Sequence, residues 1–214
     1  MSQPSDYYAS RFTFHPRRRA VWAEIARFVE RDLTDRSSLL ELGCGYGDFI
    51  NAVHVQAKIA LDRNAAVRDG LNHDVRFVCG ECTDLAFLGP ASVANVVASN
   101  LLEHLDRPQL TALMAEVRRV LKPGGRFIAL QPNYRLCAAR YFDDYTHFTV
   151  FSDVSLCGFL AAHGFVIVKC VPGLLPFSMN SRLPKHPLLV RLYLASPFRP
   201  LAAQMYVVAQ RSRE

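Results

Sequence analysis

The feature that most constrains the fold is an apolar run that is interrupted by three alternating glycines. Residues 38–42 (SLLEL) precede Gly43, Gly45 and Gly47, and residues 48–50 (DFI) resume an apolar pattern with helical spacing. Glycine accepts positive φ and lets the backbone lie close to a ligand. This stretch therefore predicts a strand, a tight loop that holds a ligand, and a helix.

The spacing of these glycines differs from that of a dinucleotide-binding loop. A dinucleotide fingerprint has the pattern G-x-G-x-x-G, whereas this chain has G-x-G-x-G preceded by Glu41. The pattern resembles the first motif of the class I S-adenosylmethionine-dependent methyltransferases, in which the loop wraps the methionyl part of the cofactor. The resemblance implies that Glu41, Gly43, Gly45 and Gly47 bind S-adenosylmethionine.

An acidic residue ends the next predicted strand. Residues 58–62 (KIALD) form a short apolar run ending at Asp62, 19 positions after Gly43. An acid at this place in a βαβ unit can accept hydrogen bonds from both ribose hydroxyls of an adenosine. The alternative is that Asp62 caps the helix predicted over residues 65–71, a role that Asn64 could fill equally well.

Later strands carry further resemblances to the same family. The third predicted strand, 75–78, is followed by Glu81 in the slot where the family has an aspartate that receives the adenine amino group, with Asp84 as a second candidate. The fourth, 93–100, leads into a segment similar to the family's S-N-x-x-E-H-L. Its last residue, Asn100, is expected to face the crevice at the carboxyl ends of the strands.

The turn L-K-P-G-G-x-F at residues 121–127 resembles the one before the fifth strand of this family, and the resemblance spans residues 38–131. Further strands are predicted over residues 126–130, 165–170 and 205–209. The resemblance implies a Rossmann-like α/β fold with seven strands, mostly parallel with an antiparallel last strand, and helices on both faces.

Length and composition favour one domain. The chain has 214 residues, half of them hydrophobic, which suffices for a single core. We expect an N-terminal helix and lid (1–37), a cofactor-binding core (38–171), an apolar and basic insertion (172–200), and the last strand with its tail (201–214).

The chain begins without the pattern of a secretory signal and has no apolar run of the ~20 residues that a membrane span needs. It is therefore expected in the cytoplasm, in solution or peripherally at the membrane. The net charge of +6 suits an anionic substrate, nucleic acid or a membrane surface. However, no N/D-P-P-Y follows the fourth strand, which argues against methylation of exocyclic base amines and makes nucleic acid the less favoured partner.

The cysteine pattern gives little support for a metal or redox site. Of the six cysteines, only Cys79 and Cys82 have C-x-x-C spacing. A structural zinc site would need a second such pair. We therefore predict no metal.

Acids, aromatics and a histidine cluster in residues 133–150, after the fifth strand. If the acceptor must lose a proton, His147 is the predicted general base, oriented by Asp144 or its neighbour Asp143. The alternative is a structural histidine in an aromatic loop. His104 is a second candidate base, but it is expected to cap a helix or pack instead.

The insertion at residues 172–200 is rich in leucine, phenylalanine and proline, and has four cations but no acid. It is expected either to lie at a membrane surface, next to a lipid-linked acceptor, or to form a lid over the crevice.

Together these patterns predict an S-adenosylmethionine-dependent methyltransferase that acts on oxygen or carbon of a small-molecule or lipid-linked acceptor. The alternatives are a nicotinamide-dependent oxidoreductase and a non-catalytic subunit that binds S-adenosylmethionine. The sequence leaves the acceptor, the use of a base and the oligomeric state open.

Overall fold

The structure is a computed structural model that describes residues 17–176 and 186–212. Its strands are β1 (Ser38–Leu42), β2 (Ala57–Asp62), β3 (Val75–Cys79), β4 (Val93–Ser99), β5 (Leu121–Pro132), β6 (Phe165–Pro176) and β7 (Ala202–Arg211). Its α-helices are α1 (Arg18–Val29), α2 (Asp48–Ala52), α3 (Arg107–Val120), α4 (Tyr134–Tyr141), α5 (Asp153–Ala162) and α6 (Pro187–Ala195). Short 3-10 helices span Glu30–Asp32, Ala65–Gly70 and Leu102–His104.

All seven strands form one sheet in the order β3-β2-β1-β4-β5-β7-β6. The first five strands in this order run parallel, and β7 is antiparallel to both of its neighbours. The predicted fold is therefore confirmed. Every residue of β1 is buried, as expected for a central parallel strand covered by helices on both faces.

Two apolar layers cover the two faces of the sheet. Alternate residues of β1 point to opposite faces, so Leu40 and Leu42 belong to one layer and Leu39 to the other. The first layer includes Leu113 of α3, and α5 packs there too. The second layer includes residues of α1 and α2. The connecting loops after β1, β2, β4 and β5 lie at the carboxyl ends of these strands.

Several boundaries differ from those predicted. Helix α2 is short and ends at Ala52, so Val53 and Val55 lie beyond it although their apolar side chains suit the same helix. Strand β5 starts at Leu121, because Leu121 pairs with Val93 before the register shifts to Arg126 opposite Asn95. The predicted turn at 122–125 is thus an irregularity within the strand.

Strand β6 continues to Pro176, so the predicted insertion starts as a strand. After the gap at 177–185, α6 packs beside α1, where Leu194 lies in the same apolar layer and Arg191 pairs with Glu24. Part of the predicted lid (1–16) and the middle of the insertion (177–185) lie outside the described residues. Within the described ranges, no helix combines the length and apolar composition that a bilayer crossing requires.

Candidate active site

The glycine loop between β1 and α2 has a backbone that other residues adopt poorly. Gly43, Gly45 and Gly47 have φ values of +64°, +52° and +70°, in the left-handed region. A Cβ on Gly47 would lie 2.3 Å from Leu71 Cδ2, and one on Gly43 would lie 3.2 Å from Leu101 Cδ1. Conformation therefore favours glycine at all three positions, and limited space adds to this at Gly43 and Gly47.

The Glu41 side chain links β1 to the first turn of α2. It is buried, and its Oε2 accepts a hydrogen bond from Ile50 N at 3.1 Å in the first turn of α2. First-turn N–H groups have no partner within the helix, so this carboxyl group acts as a distant cap. Burial raises the pKa of Glu41 well above its usual value, with the nearby Asp48 and Asp62 carboxylates adding to the effect.

Asp62, at the tip of β2, joins the loop to the next connection. Its Oδ2 accepts from Gly45 N at 2.9 Å, and its Oδ1 accepts from Asn64 N at 2.9 Å. The helix cap that Asp62 might have supplied comes from Asn64, whose Oδ1 accepts from Ala66 N at 3.1 Å. A carboxylate has about four acceptor positions, so Asp62 can also accept from a ribose.

Helix α1 also contacts the glycine loop and the start of α2. The Arg18 guanidinium forms an ion pair with Asp48, the first residue of α2, and lies 5.6 Å from the centre of the Tyr46 ring. An acid in the first turn of a helix also suits the helix dipole. This pair was not predictable from the sequence, because its members are 30 positions apart and no local pattern links them.

Glu81 and Asp84 lie in the turn after β3, and both are exposed. Asp84 N donates to Glu81 O at 3.1 Å, and Asp84 Oδ1 accepts from Ala86 N at 3.0 Å. Gly80 N donates to Asp62 O at 3.0 Å, which ties this turn to the tip of β2. The two candidate adenine ligands are therefore beside the candidate ribose ligand.

Asn100 follows β4 with a positive φ of +49°, a conformation that asparagine tolerates better than most residues. Its N donates to Leu130 O at 2.9 Å, so the end of β4 is held against β5. Leu101, the next residue, contacts the glycine loop at Gly43. The loop after β4 therefore forms the second wall of the crevice.

Glu103 lies in this wall and was not singled out from the sequence. The side chain is only 1% exposed, and its Oε2 accepts from Gln131 Nε2 at 2.9 Å. Burial raises the pKa of Glu103 to about 8. The only sequence signal was its place in the E-H-L motif, which does not reveal burial.

Two histidines from separate segments meet beside Glu103. The ring centres of His104 and His147 are 5.0 Å apart. The Nδ1 of His147 lies 2.6 Å from Tyr141 O, and the Nδ1 of His104 lies 3.2 Å from Thr146 O. A carbonyl oxygen only accepts, so each Nδ1 carries the proton and each Nε2 has the lone pair.

Asp144 belongs to the same network. Its Oδ1 accepts from Thr146 Oγ1 at 2.6 Å, and Thr146 Oγ1 lies 2.9 Å from His104 Nδ1. Burial raises the pKa of Asp144, but hydrogen bonds from Thr146 and the nearby histidines outweigh it, so the pKa is lowered overall. Burial lowers the pKa of His104 to about 4, with His147 adding to the effect.

The predicted pair of His147 and Asp144 is thus part of a larger group. The contacts above show Asp144 acting on His104 through Thr146, a link across 42 positions that the sequence could not show. Three aromatic side chains in the segment that supplies His147 are largely exposed: Phe142 (57%), Tyr145 (73%) and Phe148 (69%). Phe148 N donates to Glu103 O at 2.8 Å, so this aromatic rim is fixed to the wall after β4.

Comparison with known proteins agrees with this architecture. Residues 14–170 match the model of a family described as a methyltransferase domain. Over 73 residues the chain is 34% identical to the ubiquinone/menaquinone biosynthesis C-methyltransferase UbiE of Nitrobacter hamburgensis, an alignment that covers 34% of this chain and 28% of that enzyme. The similarity thus spans less than a third of that relative's length.

Solved structures share the fold. An S-adenosylmethionine-dependent methyltransferase from Archaeoglobus fulgidus superposes with a TM-score of 0.67 and 19% identity, over 91% of this chain and 94% of that one. Geranyl diphosphate C-methyltransferase from Streptomyces coelicolor gives 0.65 and 17%, over 87% and 76%.

The family match covers most of the chain and includes the glycine loop, Asp62 and both walls of the crevice. The residues present also fit the cofactor: a glycine loop whose backbone lies in the left-handed region, and a buried carboxylate at the tip of β2 that accepts from Gly45 N. This chain belongs to the class I S-adenosylmethionine-dependent methyltransferase family.

Proposed function

We propose that this protein transfers a methyl group from S-adenosylmethionine to oxygen or carbon of an apolar small-molecule or lipid-linked acceptor. The observation that supports the proposal best is the pair of imidazoles supplied by the segments after β4 and α4, together with the exposed Phe142, Tyr145 and Phe148 in the second of these segments. Exposed aromatic side chains suit an acceptor with an apolar body.

On the cofactor side, we assign Asp62 to the ribose, and Glu81 or Asp84 to the adenine. Gly43, Gly45 and Gly47 would lie against the methionyl part, while Glu41 holds the loop in place. Asn100 would close the crevice from the β4 side. S-adenosylmethionine supplies the methyl group on a positively charged sulfur, so the protein has mainly to align the acceptor, which can contribute ~7–11 kcal/mol.

On the acceptor side, His147 would remove the proton of the acceptor. Its Nδ1 is fixed by Tyr141 O, so Nε2 is the basic atom. Thr146 and Asp144 hold His104 beside it. Since burial keeps His104 neutral at physiological pH, the neighbouring ring adds no positive charge that would weaken the base.

Two relatives in the comparisons are named for methylation at carbon, the UbiE enzyme and geranyl diphosphate C-methyltransferase. Prenylated aromatic compounds and isoprenoid diphosphates are therefore the first acceptors to test. The exposed leucines of α6 favour an additional contact with a membrane surface, which would bring a lipid-linked acceptor close.

The test is a methyl-transfer assay with purified protein, labelled S-adenosylmethionine and panels of these acceptors, read by mass spectrometry. With an acceptor in hand, His147→Ala is expected to lower kcat by ~10²–10⁴ with little change in cofactor affinity. The matched control is His163→Ala, which removes a histidine from the end of α5. Wild-type kcat in the His147 variant would show that this residue is not the base.

A further inference from the structure

Three side chains that can each ligate a metal ion, Glu103, His104 and His147, lie close together. One oxygen or nitrogen from each of the three side chains lies within 4.8 Å of the other two. Around one cation with bond lengths of about 2.0–2.2 Å, three ligand atoms would lie roughly 3–4 Å apart. Small side-chain rotations would therefore bring these atoms to coordination distance.

The group is held in place by a second set of contacts. Thr146 Oγ1 and Tyr141 O fix the Nδ1 atoms of His104 and His147 at 2.9 Å and 2.6 Å. Metal-binding histidines commonly donate their other ring N–H to such oxygens, which orients the ring and fixes the tautomer. In this tautomer the basic nitrogen of each ring is Nε2.

A buried acceptor beside Glu103 also lacks a donor. Gln131 Nε2 donates to Glu103 Oε2 at 2.9 Å, but Gln131 Oε1 is buried and has no hydrogen bond from the residues that the structure describes. An unsatisfied buried carbonyl destabilises the folded protein. A water or hydroxyl group bound to a cation at this place would be a donor within the same pocket.

We propose that Glu103, His104 and His147 bind a divalent transition-metal ion such as Zn²⁺, Co²⁺ or Fe²⁺. Two imidazoles and one carboxylate suit these ions better than Mg²⁺ or Ca²⁺, which prefer oxygen ligands. Three protein ligands leave a coordination position open. The two segments that supply them follow β4 and α4, so the open position lies on the acceptor side of the crevice.

This site would deepen the proposed function, on which the following step rests. A hydroxyl oxygen of the acceptor bound at the open position would lose its proton to water near neutral pH. That oxygen then forms a bond to the methyl carbon while the carbon–sulfur bond breaks and S-adenosylhomocysteine leaves. His147 would act as a metal ligand in place of a base, and the site would select acceptors with an oxygen donor.

The test uses full-length, untagged protein that has been stripped with a chelator. Titration with Co²⁺, followed by visible absorption, is expected to give one equivalent of bound metal that Zn²⁺ displaces. His104→Asn and His147→Asn are each expected to raise the Kd for Co²⁺ by at least about 100-fold, the upper end of the range for loss of an outer contact. His163→Asn is the matched control, since its ring also bonds a carbonyl oxygen, Phe159 O, at 2.8 Å.

Glu103→Gln, a near-isosteric change, is expected to weaken Co²⁺ binding to a similar degree. Calorimetric titration with S-adenosylmethionine shows that each variant is folded. Wild-type affinity for Co²⁺ in the His147 variant, a thiolate-to-cobalt absorption band, or no stoichiometric binding would each overturn the site. Protein that binds S-adenosylmethionine and methylates an acceptor without metal would overturn it too, and would leave the proposed function standing.

Discussion

At the scale of single residues, Asp62 connects the loop to the proposed ribose site. Because its carboxylate accepts from Gly45 N and is assigned to the ribose, Asp62→Ala should raise the Kd for S-adenosylmethionine at least tenfold. Hydrogen bonds to a charged group contribute ~1.5–3 kcal/mol. Isothermal titration calorimetry measures this change.

The matched control is Asn64→Ala, which removes the helix cap beside Asp62. It should lower stability by about 1 kcal/mol and leave cofactor affinity within twofold. Equal losses of affinity in both variants would mean that Asp62 acts only by keeping the loop folded.

Glu41 should make stability depend on pH. Because its pKa in the folded protein is raised well above 4.5, the folded state keeps a proton that the unfolded state loses. The stabilising contribution is complete below about pH 4.5 and is lost as pH rises toward the folded pKa, by up to ~1.4 kcal/mol per pH unit.

Glu41→Gln removes this titration while Gln Oε1 can still accept from Ile50 N. The variant should match wild type near pH 4.5 and become the more stable protein as pH rises, as measured by urea denaturation. Glu81→Gln removes an exposed carboxyl group and should change stability by less than about 0.5 kcal/mol. Parallel pH profiles for wild type and Glu41→Gln would contradict the buried-acid account.

At the scale of elements, the turn from β1 into α2 depends on Gly47. An added Cβ would clash with Leu71 at 2.3 Å, and φ is +70°. Gly47→Ala should therefore destabilise the protein by more than about 1 kcal/mol and weaken binding of S-adenosylmethionine. Thermal unfolding and calorimetry measure the two effects.

Gly158→Ala is the matched control, because a Cβ on this exposed residue of α5 meets nothing within 4 Å. It should stabilise the helix by ~0.5–1 kcal/mol without affecting the cofactor. If Gly47→Ala had the same effect as Gly158→Ala, the steric account of the loop would be wrong.

Elements with strong local signals were predictable. The SLLEL strand, the glycine loop and the strand ending at Asp62 follow from apolar runs and glycine spacing, which depend on neighbouring residues alone. The extension of β6 to Pro176 and the irregularity in β5 were not predictable, because they are set by pairing with β7 and β4.

The proposed acceptor side was predictable only in part. His147 and Asp144 were predicted from residue type, but the burial of Glu103 and the link from Asp144 through Thr146 to His104 depend on packing between segments about 40 positions apart. Contacts of this kind produce no periodic pattern in the sequence. The motif E-H-L marks the segment without showing which side chain is buried.

At the scale of the whole molecule, α6 packs on the second apolar layer and exposes three leucine side chains on its outer surface. Leu188, Leu189 and Leu192 are 54%, 46% and 58% exposed. Arg191, one of the four cations of residues 172–200, pairs with Glu24 at 2.9 Å, and Arg27 contacts the same carboxylate. Arg182 and Lys185 lie outside the described residues.

We therefore predict that membrane contact depends mainly on these leucines. If two of them bury about half of their side chains in the interface, at ~0.8–1.5 kcal/mol each, Leu188→Gln with Leu192→Gln should lower the vesicle partition coefficient more than tenfold. Co-sedimentation with vesicles measures it. Val154→Gln with Val166→Gln, which replaces equally exposed valines on α5 and β6, should have no effect.

Salt separates the apolar from the electrostatic contribution. A basic residue near an anionic surface adds about 1 kcal/mol, which salt screens, whereas apolar insertion persists. Binding should therefore fall only modestly between low and physiological salt, and Arg182→Glu with Lys185→Glu should account for that fall. Arg191→Glu is unsuitable for this purpose, because it would place two acids together at Glu24. Absence of sedimentation with anionic vesicles at low salt would exclude the membrane contact and favour a freely diffusing acceptor.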